Sequence, residues 1–164
     1  MQKDEGVAAC MQLGRYAGLR AEEAVQANKS LKTWKRALQS GKHTLRVNFG
    51  TKGDRPRDVF VAPEIRSVLL NAVLFALEVS NKRGGKLVDK PNLKAAMTRH
   101  SNQVRSYGLT GKEAFHSLRY AFAHDQYQSY ISAGYSRKEA LSLVGMDLGH
   151  GDGRGGYVRR VYLL

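Results

Sequence analysis

Thr44-Leu45-Arg46-Val47-Asn48-Phe49, Gly50-Thr51-Lys52-Gly53-Asp54-Arg55-Pro56-Arg57 and Asp58-Val59-Phe60-Val61 form the stretch whose reading decides the fold. Leu45, Val47 and Phe49 alternate with polar neighbours, and Val59 and Val61 restart the alternation. That period of two marks half-buried strands, and the basic, glycine- and proline-bearing run between them marks a turn. The stretch therefore reads as a β-hairpin with a cationic loop. It is the only persuasive β-structure in the chain, and everything on either side follows helical spacing. The fold class expected is α+β, mostly α-helical, with one small antiparallel β-sheet.

Upstream of the hairpin, Val7, Ala8, Met11, Leu13 and Ala17 make a helical pattern that ends at Gly18. Leu19 to Ala24 reads as a tight corner into a second helix, which carries Leu31, Trp34 and Leu38 and closes at Gly41. Downstream, a helix from Pro63 bears the apolar stripe Ile65, Val68, Leu69, Val73 and Leu77. Lys82-Arg83-Gly84-Gly85-Lys86 reads as a basic, flexible connector, and Asn92 as the cap of a helix to about Tyr107. Thr110-Gly111-Lys112-Glu113 is a capping box that sets His116 in the first or second turn of a long helix stopped by Gly134. Ser136-Arg137-Lys138-Glu139 is another, opening a shorter helix that ends near Gly149. The glycine-rich run 151–156 precedes Tyr157 to Leu164. With no repeat and no convincing boundary, residues 1–164 read as one domain.

Charge narrows the class of partner. Lys and Arg outnumber Asp and Glu by 27 to 14, a net charge of +13 spread from end to end, so a broad positive surface is expected. Such a field attracts polyanions, foremost DNA or RNA. Cys10 is the only cysteine, which excludes an internal disulfide and a thiolate zinc cluster. No run approaches the roughly 20 apolar residues of a membrane span, and the first residues lack the apolar core of a signal peptide. The expectation is a soluble intracellular protein with no membrane partner.

His116 and Arg119, at i and i+3, share a helix face and can reach one anionic group. Leu148-Gly149-His150 follows, then Tyr157 and Tyr162, which add a second histidine and candidate hydroxyl nucleophiles. Singly these residues are ordinary: a helical histidine is more often structural, and Lys52 alone is a cation in a hairpin. Asp147 and Asp152 flank His150, but the ligand pattern of a calcium loop is missing.

Taken in order, Gly18-Leu19-Arg20 with Glu23, the hairpin Lys52, His116-Ser117-Leu118-Arg119-Tyr120-Ala121-Phe122-Ala123, Leu148-Gly149-His150 and a late tyrosine resemble the catalytic domain of the tyrosine recombinases, the phage-type integrases. The resemblance runs over residues 6–164. It implies a site-specific recombinase of mobile DNA that cleaves and rejoins strands through a 3′-phosphotyrosyl intermediate. Arg20, Lys52, His116, Arg119, His150 and a tyrosine would be catalytic, with Glu23 supporting Arg20. Glu23 reads equally as a surface helix carboxylate. The transition state gathers negative charge on nonbridging oxygens, and two planar arginine forks are suited to meet it. By the same resemblance Lys52 is the general acid for the leaving oxygen, His116 assists the nucleophile's proton, and His150 bonds a nonbridging oxygen.

The chain departs from the family pattern at the nucleophile. Tyr157 follows His150 by seven residues and Tyr162 by twelve, and the family spacing lies between them. Arg160-Val161-Tyr162-Leu163 resembles the family segment better, so Tyr162 is the expected nucleophile and Tyr157 the alternative. Tyr120 stands where the family often has another histidine. The resemblance implies no cofactor, no metal and no ATP, since the covalent intermediate conserves the bond energy. It also implies double-stranded DNA as partner, a homotetramer on two synapsed DNA sites, a possible monomer in isolation, and a cytoplasmic location at the nucleoid. A separate N-terminal DNA-binding domain, usual in the family, is expected to be absent from this chain. Two other readings share the charge: a noncatalytic helical DNA-binding regulator with the 136–150 helix in a groove, and a type IB topoisomerase-like enzyme.

Overall fold

Helix α1 (Glu5–Ala17) is the element around which the others assemble, packing against α4 (Arg66–Lys82), α6 (His116–Ser132), α2 (Ala21–Val25) and α5 (Leu93–Ser106). The computed structural model describes residues 4–109, 115–150 and 158–159. Val7, Ala9, Cys10, Leu13 and Ala17 of α1 are buried and belong to a single apolar cluster. The helix begins at Asp4, whose carboxylate accepts from the N–H groups of Gly6 (2.8 Å) and Val7 (3.2 Å). The same carboxylate takes Arg83 at 2.9 Å and Arg99 at 3.1 Å. Burial pushes the Asp4 carboxyl up, but the bonds from Arg83, the Val7 N–H and Arg99 together hold it below its ordinary range. Arg83 also donates to the Leu87 carbonyl at 2.8 Å, and Leu87 and Val88 are buried. The connector expected to be flexible is thus tied to the start of α1.

The second helix departs from the sequence expectation. It breaks into α2 and α3 (Leu31–Gln39), with a 3₁₀ turn over Ala27–Lys29 between them. The Asn28 amide donates to the Gly85 carbonyl at 2.7 Å, a long-range bond that the local pattern does not encode. After the break, Leu31, Trp34 and Leu38 are buried, and α3 lies against α4 and β1.

Strands β1 (Thr44–Val47) and β2 (Arg57–Phe60) pair antiparallel, with Thr44 opposite Phe60 and Val47 opposite Arg57. This is the expected hairpin in an otherwise mostly helical chain. Leu45, Val47 and Val59 face the core, and Trp34 ties α3 to the sheet by donating from Nε1 to the Arg46 carbonyl at 2.9 Å. Phe49, expected inward, is 41% exposed instead, because the strand ends at Val47 and the chain turns at Gly50. The Lys29 ammonium sits 5.1 Å from its ring centre. In α4 the buried stripe is Leu69, Ala72, Val73, Ala76 and Val79, leaving Val68 one position off it and exposed.

The later helices start where their caps stand. Asn92 Oδ1 accepts from the Ala95 N–H at 2.9 Å to open α5. Ser136 and Glu139 exchange bonds of 3.1 and 2.9 Å to open α7 (Arg137–Asp147). His116 is the first residue of α6; the capping box at 110–113 lies outside the described residues. Among the described residues no helix is long and apolar enough to cross a membrane.

Candidate active site

The hairpin loop, the corner at Arg20 and the end of α7 meet at one cleft of about 440 Å³. Among the described residues its wall includes Arg20, Arg46, Lys52, Arg55, Arg57 and His150, with Asp58 as the one acid. Five cations and one carboxylate give the wall a net positive charge, offset in part by the buried Glu23 carboxylate that Arg57 and Arg20 share behind it. Three of the expected residues, Arg20, Lys52 and His150, therefore meet there although they come from distant parts of the chain.

Arg20 owes its position to the turn at Gly18 and to its place as N-cap of α2. Its own N–H donates to Glu23 Oε1 at 2.7 Å, and its Nη1 lies 3.7 Å from Glu23 Oε2. Glu23 is 1% exposed, so the reading of it as a surface carboxylate is set aside and the orienting reading fits. Lys52 opens the 3₁₀ turn Lys52–Asp54 at the hairpin tip, and its side chain is exposed to the cleft mouth.

His150 is placed by the way α7 stops. The His150 N–H donates to the Gly145 carbonyl at 2.8 Å and the Gly149 N–H to the Met146 carbonyl at 3.0 Å. With Gly149 at φ 88°, this is a Schellman termination, which requires a left-handed residue at that point. A Cβ on Gly149 would lie 3.1 Å from Arg57 Cδ and 3.2 Å from Arg20 Nη1, so the glycine also lets both arginines lie against the end of α7.

Arg119 and His116 are not in the cleft wall. Arg119 lies behind it, fully buried, donating from Nε to the Gly18 carbonyl (2.8 Å) and from Nη2 to the Leu148 carbonyl (2.6 Å). It thereby joins the residue two before Arg20 to the residue two before His150. His116, half-buried, stacks its ring with Tyr120 at 6.4 Å and 26°. Tyr157 and Tyr162 lie outside the described residues.

Two buried polar residues that the sequence reading left without a role organise the site. Arg57, 8% exposed, donates to Glu23 Oε2, to the Asp147 carbonyl (3.0 Å) and to the Gly18 carbonyl (3.4 Å). The strand phase pointed to it, since 57, 59 and 61 share the inward face. Asp147 accepts from Tyr130 Oη (2.6 Å), Gln126 Nε2 (2.9 Å) and the Phe60 N–H (3.1 Å). Burial pushes its carboxyl up to about 6 against the pull of those bonds and of Arg57. It is a structural tie between α7, α6 and β2.

The sequence model of the family described as Integrase matches residues 1–125 of the chain, a span that holds Arg20, Lys52, His116 and Arg119. No curated protein and no solved structure matches it. A match over so much of the chain, on a mostly helical fold with the hairpin lysine and corner arginine in one cationic cleft, establishes that the chain belongs to the phage-type integrase family, the tyrosine recombinases.

Proposed function

We propose that the chain is a site-specific DNA recombinase that cleaves and rejoins strands through a 3′-phosphotyrosyl intermediate, without metal or ATP. The observation that carries this reading is the meeting of Arg20, Lys52 and His150 in one cleft, with Arg119 bonded to the main chain behind two of them. Preorganised donors of this kind stabilise charge that develops on nonbridging oxygens and need no reorganisation during reaction. Tyr162 attacks the phosphorus, its proton passing to His116. The phosphorus–5′-oxygen bond breaks, and the leaving oxygen takes a proton from Lys52. Attack by another 5′-hydroxyl reverses the sequence and releases the tyrosine. Double-stranded DNA is the partner, in a homotetramer on two synapsed sites, and the enzyme acts in the cytoplasm.

A nicked suicide duplex tests this, because loss of the short 5′ fragment strands the protein on DNA. Wild type and Tyr157→Phe form the covalent adduct, and Tyr162→Phe forms none. An adduct that persists in Tyr162→Phe and disappears in Tyr157→Phe reassigns the nucleophile. No adduct with any variant or with wild type overturns the recombinase reading in favour of a DNA-binding regulator.

A further inference from the structure

We propose that Arg57 is a positioning residue for this reaction: by gripping Glu23 it fixes the fork of Arg20, and through the Gly18 carbonyl it locks that fork to Arg119. The inference rests on reading the cleft as a phosphodiester-cleaving site. Glu23 is shared between two guanidiniums, Arg57 bonding its Oε2 while Arg20 Nη1 stands 3.7 Å from the same oxygen. Were Arg57 absent, the buried carboxylate would have Arg20 as its guanidinium partner and would draw that fork inward, away from a phosphate. With Arg57 present, Glu23 shares its charge between two guanidiniums, and the Arg20 fork stays at the cleft wall.

The second half of the device is the Gly18 carbonyl, which accepts from Arg119 Nε at 2.8 Å and from Arg57 at 3.4 Å. The third Arg57 bond, to the Asp147 carbonyl at 3.0 Å, fixes the last turn of α7 from which His150 follows. Three acceptors from the α1–α2 corner, α2 and α7 are thus spaced around one planar fork. A lysine ammonium keeps the charge beside Glu23 and loses the other two anchors. Arg57 acts through Arg20 and Arg119, which is why it is a positioning residue.

The test uses the full chain and measures the single-turnover rate of adduct formation on a nicked duplex. A second duplex carries a methylphosphonate at the scissile position, where a neutral methyl replaces the oxygen charge that Arg20 meets. On the phosphodiester, Arg57→Gln is expected to slow the reaction ~100-fold, as loss of a transition-state donor does. Arg57→Lys falls between it and wild type. Adding Arg57→Gln to Arg20→Lys costs no more than about 3-fold further, because groups acting as one unit are not additive. On the methylphosphonate, the deficits of Arg57→Gln and Arg20→Lys relative to wild type shrink together.

Deficits that multiply in the double variant, or that are equal on both duplexes, overturn the proposal, as does an Arg57→Gln rate equal to wild type. If Arg57→Gln does not fold, Arg57→Lys carries the same comparison between duplexes. Failure of wild type to form any adduct sinks the phosphotyrosyl reading and this proposal with it. A wild-type adduct with multiplicative deficits sinks this proposal alone.

Discussion

Arg119 shows how a single residue can be both a candidate catalyst and a strut. Its Nε and Nη2 bond main-chain carbonyls at residues 18 and 148, and its side chain is wholly buried. Arg119→Lys offers one ammonium in place of a fork, so it leaves a buried carbonyl without that donor at a cost of roughly 1–3 kcal/mol. The expected outcome is a lower urea midpoint, by that loss divided by the denaturant slope, with the slope itself unchanged; a midpoint equal to wild type would show that the two anchors carry no stability. The residues of the site differ in how far the sequence exposed them. Arg20, Lys52 and His150, which the order of short motifs singles out, line one cleft. Arg57 was hidden because it sits at the end of a basic turn, where charge suggests solvent, although its phase with Val59 and Val61 put it inward. The place of Asp147 beside His150 was visible, but its role as a tie was not, since its partners Tyr130, Gln126 and Phe60 come from two other elements.

Among elements, the ends of helices proved readable and the interruptions did not. Ser136, Asn92, Gly134 and Gly149 act within a few residues of themselves, so their chemistry is written locally. The break between α2 and α3 depends on Asn28 reaching Gly85, 57 residues away, and no helical periodicity records that. The two glycine stops also separate two kinds of constraint. Gly134 and Gly149 both hold positive φ, at 102° and 88°, but a Cβ at 134 meets nothing within 4 Å while one at 149 meets Arg57 and Arg20. Alanine at either position therefore costs about 1–2 kcal/mol for the left-handed backbone. Only Gly149→Ala is expected to slow adduct formation as well, because its methyl displaces the two arginines. Chemical denaturation checks the shared loss of stability, and the suicide-substrate rate checks the difference; equal rates for the two variants would remove Gly149 from the site's geometry.

At the scale of the whole molecule, stability against pH joins two buried groups that pull in opposite directions. His100 lies in α5 with its ring edge-on to Phe115 at 4.8 Å, and its Nε2 has no hydrogen-bond partner among the described residues. Burial pushes its imidazole down from 6.5 to about 4, against a weaker upward pull from Asp4. Below 6.5 the unfolded chain binds that proton before the folded one does, so stability is present above 6.5 and is lost as pH falls towards 4. Asp147 behaves in reverse: burial raises it from 3.8 to about 6, the folded chain binds the proton first, and stability is gained as pH falls from 6 towards 3.8. Between pH 7 and 4.5 each contributes about 2 kcal/mol, of opposite sign, so the two largely offset one another. His100→Leu removes the loss and Asp147→Asn removes the gain. Urea unfolding at the two pH values is expected to show His100→Leu losing about 2 kcal/mol less than wild type on acidification, and Asp147→Asn about 2 kcal/mol more. Variants that follow the wild-type pH dependence in parallel would mean that neither group titrates in the buried setting the fold gives it. Divergence in the stated directions would show that two buried residues, one in α5 and one at the end of α7, contribute to the acid response of the chain with opposite signs.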